Sequence, residues 1–491
     1  MPDTITRRRF VRTAAGAAGV LLGGRLVELD ALGRPRLPQP SERAWRALAR
    51  DLDGRLVRPG DRDFARLRLP WNRRYADPPP MGIVRCATER DVQRALRWAR
   101  DRRLPLAARS GGHSYAGFST TPGLLIDLGG MHRVAVDDAT GTLTCDPGAR
   151  NTMIYAALQP HEVGISAGRC PTVAVAGLTL GGGFGFSSRR LGLTCDALEA
   201  ARIVTADGEV RTCSATENPD LFWALRGGGG GNFGIVTQLR FRTSPLGDVA
   251  LYDLAWDARH APAVMAALQE MVRAAPDRLS CRMGMGSDGR AATVTALGQL
   301  FGPVEELRTL LEPVLATARP ARQLIAQRTF WQAKEHFFHS TPVDRFAVRS
   351  AFVTEPLPEA AFDAIARGVA RYPGSRNRDG GGVALFAWGG AIGRVPVDAT
   401  AFVHRDAVWL MALDASWTGR DTRRTVRRNL DWLARLDDEV RPFASSQAYQ
   451  NFPDRSLKDW RTAYYGTAYP RLRAIKRAVD PNGVFAFPQA V

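Results

Sequence analysis

Lysine is almost absent from this chain of 491 residues. The only lysines are Lys334, Lys458 and Lys476, although lysine and arginine together number 67 against 49 acidic residues. The net charge of +18 therefore comes from arginine, and it is spread along the chain rather than gathered in one stripe. Nucleic-acid-binding proteins more often show a basic stripe or a groove-reading motif. We expect no nucleic-acid partner, and a surface that mildly attracts anionic small molecules.

Metal-binding cysteine patterns and long apolar runs are also missing. None of the six cysteines forms a CxxC pair or stands beside a histidine at ligand spacing, so no metal site is predicted. One or two disulfides remain open for an exported protein, and the sequence does not assign pairs. Beyond residue 30 no apolar run is long enough to span a bilayer, so no membrane partner is expected. The length predicts two or three domains.

The N-terminus has a basic segment, residues 6–12, followed by an apolar run, residues 14–22. This order is typical of a signal peptide, and the run is about half the length of a membrane-spanning helix. The paired arginines followed by Phe10 resemble the twin-arginine export signal. We expect residues 1–30 to export the protein to the periplasm or the outside. The alternative is a basic tail followed by an apolar helix.

The rest of the chain changes its pattern along its length. Residues 31–77 form a proline-containing linker with a short helical entry. In residues 78–247 short predicted strands alternate with glycine-rich turns. In residues 248–445 strand-like runs alternate with amphipathic helices, which indicates an antiparallel sheet backed by helices. Residues 446–491 form a tail with many Tyr, Asn, Pro and Trp residues.

The first motif with chemical content is R-S-G-G-H-S-Y at residues 109–115, after a predicted strand. Its two glycines let the backbone approach a ligand, and consecutive N–H groups can form a nest for a pyrophosphate. The spacing is not GxGxxG, so a Rossmann NAD site is disfavoured. A lone histidine here would more often be structural. The predicted cofactor contacts are Arg109, Ser110, Gly111, Gly112, His113, Ser114 and Tyr115.

Two further glycine-rich segments follow. The first begins with G-R-C-P-T-V at residues 168–173, and the second is the glycine run 227–231 with its continuation N-F-G-I-V. Such glycines suit a backbone wrapped tightly around a flat ligand. A flexible linker is the alternative for the second segment, but apolar flanks on both sides disfavour it. The predicted cofactor contacts are Cys170, Gly177, Gly181, Gly182, Gly183, Gly185, Leu193, Asp196, Gly234, Ile235 and Val236.

Together with the tail at 447–489, these motifs resemble the berberine-bridge-enzyme-like group of FAD-linked oxidases, of the vanillyl-alcohol-oxidase type. The resemblance implies an α+β fold with a two-part, PCMH-type FAD-binding domain and a substrate domain whose antiparallel sheet is backed by helices. The C-terminal segment would return to the FAD domain. It also implies that His113 bonds to the flavin 8α-methyl group and Cys170 to flavin carbon 6. A buried free thiol is the alternative for Cys170.

The chain departs from the family pattern at two positions. The cysteine motif normally continues with Gly after Val, and here Ala174 stands there. Its methyl group could alter the oxygen pocket beside the flavin. Relatives often carry Tyr or Asp where this chain has Trp388, which cannot take a proton. His404 also matches the family's substrate domain, and a structural contact is favoured over a general base.

The resemblance assigns catalysis to the Y-Q-N sequence of the tail. Tyr449 would lie over the flavin as the catalytic base, and Asn451 would contact the cofactor. A phenol with a pKa of about 10 must be depressed to act near neutrality, and nearby arginines or a carboxylate relay could do this. The alternative is a stacked, hydrogen-bonded tyrosine.

The implied activity is oxidation of an alcohol-type carbon on a sugar or a secondary metabolite, with hydride moving to flavin N5. Molecular oxygen would reoxidise the flavin and give hydrogen peroxide. The chain is expected to act as a monomer. A dehydrogenase that uses another acceptor is one alternative. A non-catalytic secreted flavin-binding protein is another, and Trp388 is the residue that favours it.

The covalent tether gives a direct prediction. Acid precipitation of the purified yellow protein should leave the colour in the pellet, because covalent bonds survive unfolding. Absorbance of pellet and supernatant measures the partition, and an unrelated protein mixed with free FAD serves as the control. A colourless pellet with all the yellow in the supernatant would exclude the tether.

Overall fold

The computed structural model describes residues 37–339 and 344–491, together with the backbone of strands β1 (Gly19–Leu22) and β2 (Arg25–Glu28), which pair antiparallel. The predicted export signal at residues 1–30 otherwise lies outside the described residues. Within the described part of the chain, no helix is long and apolar enough to cross a membrane. All six cysteines are free thiols.

The first sheet has four strands in the order β3-β4-β6-β5. Strands β4, β5 and β6 run parallel, and β3 is antiparallel to β4. The bounds are β3 (Arg55–Val57), β4 (Gly82–Arg85), β5 (Leu106–Arg109) and β6 (Leu124–Asp127), with helices α1 (Glu42–Asp51), α2 (Phe64–Leu67) and α3 (Glu89–Asp101). Every residue of β6 is buried, as expected for a parallel strand covered on both faces. Thr88 and Asp91 form a capping box that begins α3.

The second sheet has five antiparallel strands in the order β11-β10-β12-β8-β7. Its strands are β7 (Val134–Asp137), β8 (Thr142–Cys145), β10 (Leu198–Val204), β11 (Val210–Ser214) and β12 (Ile235–Arg242), and a separate pair is formed by β9 (Val163–Gly164) and β13 (Ser244–Pro245). The accompanying helices are α4 (Asn151–Leu158), α5 (Val175–Leu180), α6 (Ser188–Leu191) and α7 (Pro219–Leu225). The later half of β12 alternates buried and exposed residues, so one face of this sheet packs inward.

The third sheet has seven antiparallel strands in the order β17-β14-β16-β15-β19-β20-β18. They are β14 (Val249–Asp257), β15 (Arg282–Ser287), β16 (Ala292–Phe301), β17 (Arg322–Arg328), β18 (Arg345–Val353), β19 (Gly381–Ala387) and β20 (Trp409–Trp417). The helices are α8 (Ala261–Ala274), α9 (Val304–Thr317), α10 (Phe330–Phe337), α11 (Glu359–Ala370), α12 (Ala391–Arg394) and α13 (Arg423–Val440). A continuous core between sheet and helices, with Trp256, Leu268 and Trp432, covers one face. The other face is left for the site.

The C-terminal segment carries α14 (Trp460–Tyr465) and α15 (Tyr469–Val479). Trp460 and Leu472 share a core with Phe222 of α7, so this segment packs on the glycine-rich first half of the molecule. Lys476 fixes it there by donating to the carbonyls of Asn232, at 2.6 Å, and Phe485, at 2.7 Å. The α+β architecture predicted from the resemblance, including the returning tail, is confirmed.

Candidate active site

A cavity of about 940 Å³ lies between the two smaller sheets, the uncovered face of the seven-stranded sheet and the C-terminal segment. This volume is at the upper end of the roughly 300–1,000 Å³ that small-molecule sites occupy. It is large enough for an elongated cofactor with a substrate beside it. All three glycine-rich segments identified in the sequence contribute to its wall.

His113 lies on this wall in the loop that follows β5. Its ring stacks on Trp71, with centroids 4.3 Å apart, and its Nε2 is 3.0 Å from Thr172 Oγ1. Burial, assisted by the charge of Arg150, lowers the pKa of His113 to about 4. The imidazole is therefore neutral at physiological pH, and a neutral imidazole is the nucleophilic form.

Cys170 lies on the same wall, two residues before the hydrogen-bond partner of His113. The Asn151 amide holds its loop by donating to the carbonyls of Gly168, at 3.1 Å, and Cys170, at 2.9 Å. Burial raises the pKa of the Cys170 thiol, and the neighbouring Arg169 opposes that shift. The structure thus brings His113 and Cys170, 57 residues apart in sequence, to adjoining loops of one cavity.

Unused backbone donors face the cavity. Five backbone N–H groups on the cavity wall have no acceptor among the described residues. They belong to Gly111, Gly112, His113, Gly230 and Gly231. Gly112 and Gly231 have φ values of +74° and +80°, which favour glycine. Such N–H groups form nests for anions, so these two loops fit the pyrophosphate of a dinucleotide.

Most of the predicted site residues lie on the cavity wall. They are Ser110, Gly111, Gly112, His113, Ser114, Tyr115, Cys170, Gly177, Gly185, Gly234, Ile235, Val236, Tyr449 and Asn451. Gly177 is exposed to the cavity, and a Cβ there would meet no protein atom within 4 Å. The ring of Tyr115 stacks on Phe452, with centroids 5.0 Å apart, so it lies beside the tail.

Six predicted contacts lie behind the wall instead: Arg109, Gly181, Gly182, Gly183, Leu193 and Asp196. Arg109 donates to the carbonyls of Leu67, at 2.6 Å, and Ser119, at 2.9 Å, so its guanidinium ties loops together. Leu193 is fully buried in an aromatic cluster. The structure gives these positions structural contacts, and their contact with the cofactor stays a prediction.

Asp196 has a structural role of its own. Its two carboxylate oxygens each accept a hydrogen bond of 2.8 Å from Arg405, and both side chains are almost fully buried. Asp196 also accepts from the backbone N–H of Leu193. This two-point ion pair joins the glycine-rich half of the chain to the segment that precedes β20, and such geometry is the strong form of an arginine–carboxylate contact.

The three glycines at 181–183 have close neighbours that explain them. A Cβ on Gly181 would lie 2.2 Å from Asn451 Oδ1, and one on Gly183 would lie 2.4 Å from Thr194 Oγ1. Gly182 and Gly183 also have φ values of +110° and +79°. Gly181 makes room for Asn451 of the tail, and Gly182 and Gly183 make room for Phe402 and Thr194.

Tyr449 is 1% exposed and sits among aromatic rings, including Phe184 and Phe452. Its hydroxyl accepts hydrogen bonds from Gly183 N, at 3.0 Å, and Asn451 Nδ2, at 3.1 Å. Burial raises the pKa of Tyr449 despite these two donors. Within residues 37–339 and 344–491 no arginine or carboxylate is hydrogen-bonded to this hydroxyl, so the structure does not show the expected relay.

Trp388 and His404 form a structural pair beside this cluster. Trp388 Nε1 donates to the His404 carbonyl at 2.9 Å. The His404 ring lies 2.6 Å from Gln447 Oε1 and 3.1 Å from the Tyr464 carbonyl, and it stacks on Phe352. His404 is fully buried, so the structural contact favoured by the sequence is confirmed.

The sequence missed Asp414, which lies on β20 with its exposed part in the cavity. Burial raises the pKa of Asp414 to about 7, the charge of Arg282 opposes this, and Asp379 adds to it. No hydrogen bond to another described residue holds its carboxyl group. A carboxyl group with such a pKa can exchange a proton near neutrality. The sequence feature that points to Asp414 is a single charged residue inside an otherwise mainly apolar strand, W-L-M-A-L-D-A-S-W at residues 409–417.

Tyr115 links Asp414 to the cofactor loops. Burial raises its pKa, the thiol of Cys170 and the carboxyl of Asp414 raise it further, and Arg169 lowers it. Tyr115, Cys170, Asp414 and Arg169 all line this cavity, and the charges of the last three act on the pKa of the first. The substrate sheet therefore presents a titratable group to the loop that carries Cys170.

Comparisons with known proteins agree with this geometry. Residues 80–214 match the FAD binding domain model, and residues 448–491 match the berberine and berberine-like model. The chain is 34% identical over 451 residues to an uncharacterized FAD-linked oxidoreductase, YgaK, of Bacillus subtilis, covering 90% of this chain and 97% of that protein. It is 32% identical to a xylooligosaccharide oxidase of Thermothelomyces thermophilus, covering 86% and 88%.

Among solved structures, the BBE-like 1 protein of Physcomitrella patens superposes with a TM-score of 0.83 at 29% identity, covering 91% of this chain and 98% of that one. A carbohydrate oxidase of Microdochium nivale, solved with a substrate analogue, gives a TM-score of 0.79 at 27% identity, covering 91% and 99%. The chain therefore belongs to the berberine-bridge-enzyme-like family of FAD-linked oxidoreductases. The free backbone N–H groups and the open space over Gly177 fit the FAD that this family binds.

Gly177 gives a test of where the cofactor lies. We expect Gly177→Leu to fold normally, because a Cβ at this position meets no protein atom within 4 Å, but to fill the space that FAD needs. Overpacking costs about 1–3 kcal/mol, so flavin affinity should fall by about 5- to 150-fold. The ratio of flavin to protein absorbance and the thermal unfolding temperature are the measurements.

The matched control is Gly247→Leu, since Gly247 also has open space around it but lies outside the cavity. It should keep the full flavin content. Normal flavin content in Gly177→Leu would place the cofactor elsewhere.

Proposed function

We propose that this protein holds FAD covalently through His113 and Cys170 and oxidises an alcohol-type carbon of a carbohydrate. The single observation that carries the proposal is the juxtaposition of these two side chains with Asp414 in one cavity. FAD, when bound, supplies the acceptor for the hydride of the oxidised carbon and passes the electrons to oxygen, giving hydrogen peroxide.

The tether is supported by the state of the two side chains. His113 is neutral at physiological pH, and Trp71 and Thr172 fix the orientation of its ring. Cys170 is a free thiol on a loop that the Asn151 amide holds in place. The Thr172 contact uses only Nε2 of His113, so Nδ1 is left for a bond to a flavin edge, and Cys170 is in no disulfide.

Two findings support a carbohydrate as the substrate: the surface that β15, β19 and β20 present to the cavity, called its floor here, and the names of several relatives. Strands β15, β19 and β20 present small residues to the cavity, among them Gly284, Gly382 and Ala412, which leave a flat surface for a sugar ring. Hydroxyl and amide side chains around it, such as Thr293, Ser416 and Asn377, can bond to sugar hydroxyls. Several relatives carry names of oligosaccharide oxidases.

Asp414 is the group that accepts the substrate hydroxyl proton in this proposal. Its pKa of about 7 lets it be ionised at neutral pH while it stays basic enough to take a proton. Tyr449, the base expected from the resemblance, keeps its proton because burial raises its pKa. Its hydroxyl instead remains hydrogen-bonded beside the reacting centre.

The test of the function is an anaerobic screen of sugars and alcohols that follows the yellow flavin absorbance. We expect a reducing oligosaccharide to bleach the flavin, and admission of oxygen to restore the colour with one peroxide per turnover. Fast dye reduction without peroxide would indicate a dehydrogenase instead. A flavin that no sugar or alcohol bleaches would favour the non-catalytic alternative.

Asp414 gives a pH prediction. In the wild-type protein kcat/KM should rise with pH through about 7, because the base must be deprotonated and its pKa is about 7. Asp414→Asn should lower kcat/KM by roughly 10²–10⁴-fold and remove this inflection. Tyr449→Phe should keep the inflection.

The control for Asp414→Asn is Asp406→Asn, a change of the same kind at an exposed carboxylate eight residues earlier. Its pH profile should match the wild type. If Tyr449→Phe, and not Asp414→Asn, removed the inflection near pH 7, then Tyr449 would be the base.

We also propose export through residues 1–30, as the basic and apolar order of that segment indicates. A twin-arginine route carries folded proteins, so the flavin could be bonded before export.

A further inference from the structure

The cavity holds two arginines that the proposed chemistry does not use. Arg282 points from β15 into the cavity, and Arg169 precedes Cys170 on the opposite wall. Neither forms an ion pair with a described residue. Arg282 donates once, from Nη1 to Thr295 Oγ1 at 3.1 Å, and its buried Nε has no partner. The Arg169 guanidinium makes no hydrogen bond within the described ranges.

The two guanidinium groups face one region of the cavity. Burial and the charge of Arg169 together lower the pKa of Arg282 to about 10, which leaves Arg282 cationic at neutral pH. Burial also lowers the pKa of Arg169, while the neighbouring Cys170 and Tyr115 oppose that shift. Burial and the charges of Arg169 and Arg282 also lower the pKa of His339 to about 4. The field in this region is therefore positive, and Asp414 is the carboxylate in the cavity whose charge most opposes it.

Buried cations without partners are costly, and arginine suits two-point contact with a carboxylate. We propose that Arg169 and Arg282 form an anion subsite that binds a carboxylate of the substrate, so that the preferred substrate is an acidic sugar such as a uronic acid. This inference rests on the proposed function, because it names the substrate class of the same site.

The sheet geometry gives such a substrate room to reach both groups. Gly286 pairs with Gly382 on the next strand, and Gly382 pairs with Asp414 on the strand after that. The two glycines have no side chains, so the surface of the sheet is open from Gly286 to the Asp414 carboxyl group. Arg282 lies four residues from Gly286 on the same strand, about 13 Å away along the strand. A sugar ring lying on this floor would have its carboxylate toward Arg282 and its reacting hydroxyl toward Asp414.

The positive region is separate from the predicted pyrophosphate nests. Those nests use backbone N–H groups of the loops at 111–113 and 230–231, whereas Arg282 extends from the substrate sheet. Thr295, its one partner, also belongs to that sheet. The charge of Arg282 therefore lies on the substrate side of the cavity, and Arg169 adds its charge from the loop that carries Cys170.

The test is calorimetric binding to the flavin-loaded protein without oxygen. The probes are matched pairs in which a carboxylate replaces each hydroxymethyl group: D-glucuronate against D-glucose, with one carboxylate, and digalacturonate against galactobiose, with two. We expect the acid of at least one pair to bind on the order of 10- to 100-fold more tightly, the range for a hydrogen bond to a charged group.

Arg282→Gln and Arg169→Gln should each remove this preference, while Arg282→Lys should keep part of it. Arg290→Gln, at an exposed arginine of the neighbouring turn, is the control for loss of a positive charge and should keep the whole preference. Flavin content and unfolding temperature show that each variant is folded, and two independent glutamine variants guard against the failure of one.

The results separate this inference from the proposed function. Tighter acid binding that the glutamine variants abolish supports the subsite, even if no sugar bleaches the flavin. Bleaching by neutral sugars with equal binding of acid and neutral probes in both pairs overturns the subsite and leaves the oxidation standing. Equal weakening of both members of a pair in Arg282→Gln also overturns it, since the arginine would then act on the site as a whole.

Discussion

The cavity depends on the close approach of two loops, where Gly111 meets the backbone of Ala174. A Cβ on Gly111 would lie 2.7 Å from Ala174 N and 3.1 Å from the Thr172 carbonyl oxygen, so no larger residue fits without a shift. This contact sets His113 against Thr172 and brings Cys170 to the same wall. Two side chains that could hold a flavin at two points become neighbours because one residue has no side chain.

Burial determines the chemistry of the cavity by acting on each titratable group in the same physical way. It keeps His113 neutral and Tyr449 protonated, and it raises the pKa of Asp414 to about 7. Arginine resists the same effect, since its pKa starts far above neutrality, so Arg169 and Arg282 keep their charges. The cavity thus combines neutral nucleophiles, a carboxyl group that titrates near neutrality, and two permanent cations.

Local sequence signals predicted much of the framework. The strand predicted just before the motif at 109–115 is β5 (Leu106–Arg109). The antiparallel sheet backed by helices followed from alternating strand and helix patterns. These features are encoded within a few neighbouring residues, so they can be found without the tertiary structure.

The sequence predicted the site less completely than the framework. A residue's place in or near a motif does not show whether its side chain points into the cavity. Asp196 belongs to a motif but turns away to pair with Arg405, 209 residues later. Glycines 181–183 suggested a ligand, yet they accommodate Asn451, Phe402 and Thr194. Asp414 and Arg282 lie in ordinary strands with no motif, and only the fold places them in the cavity.

The position of the tail has a consequence for biogenesis. Tyr449, Asn451 and Phe487 form one side of the cavity, and the loop at 110–115 forms another, so the two sides are separated by more than three hundred residues of chain. Contacts of such long range form late in folding. Nearly the whole chain must therefore be synthesised before both sides of the cavity can come together. Insertion of the prosthetic group is then a step of maturation, coupled to completion of the fold rather than to translation of its first half.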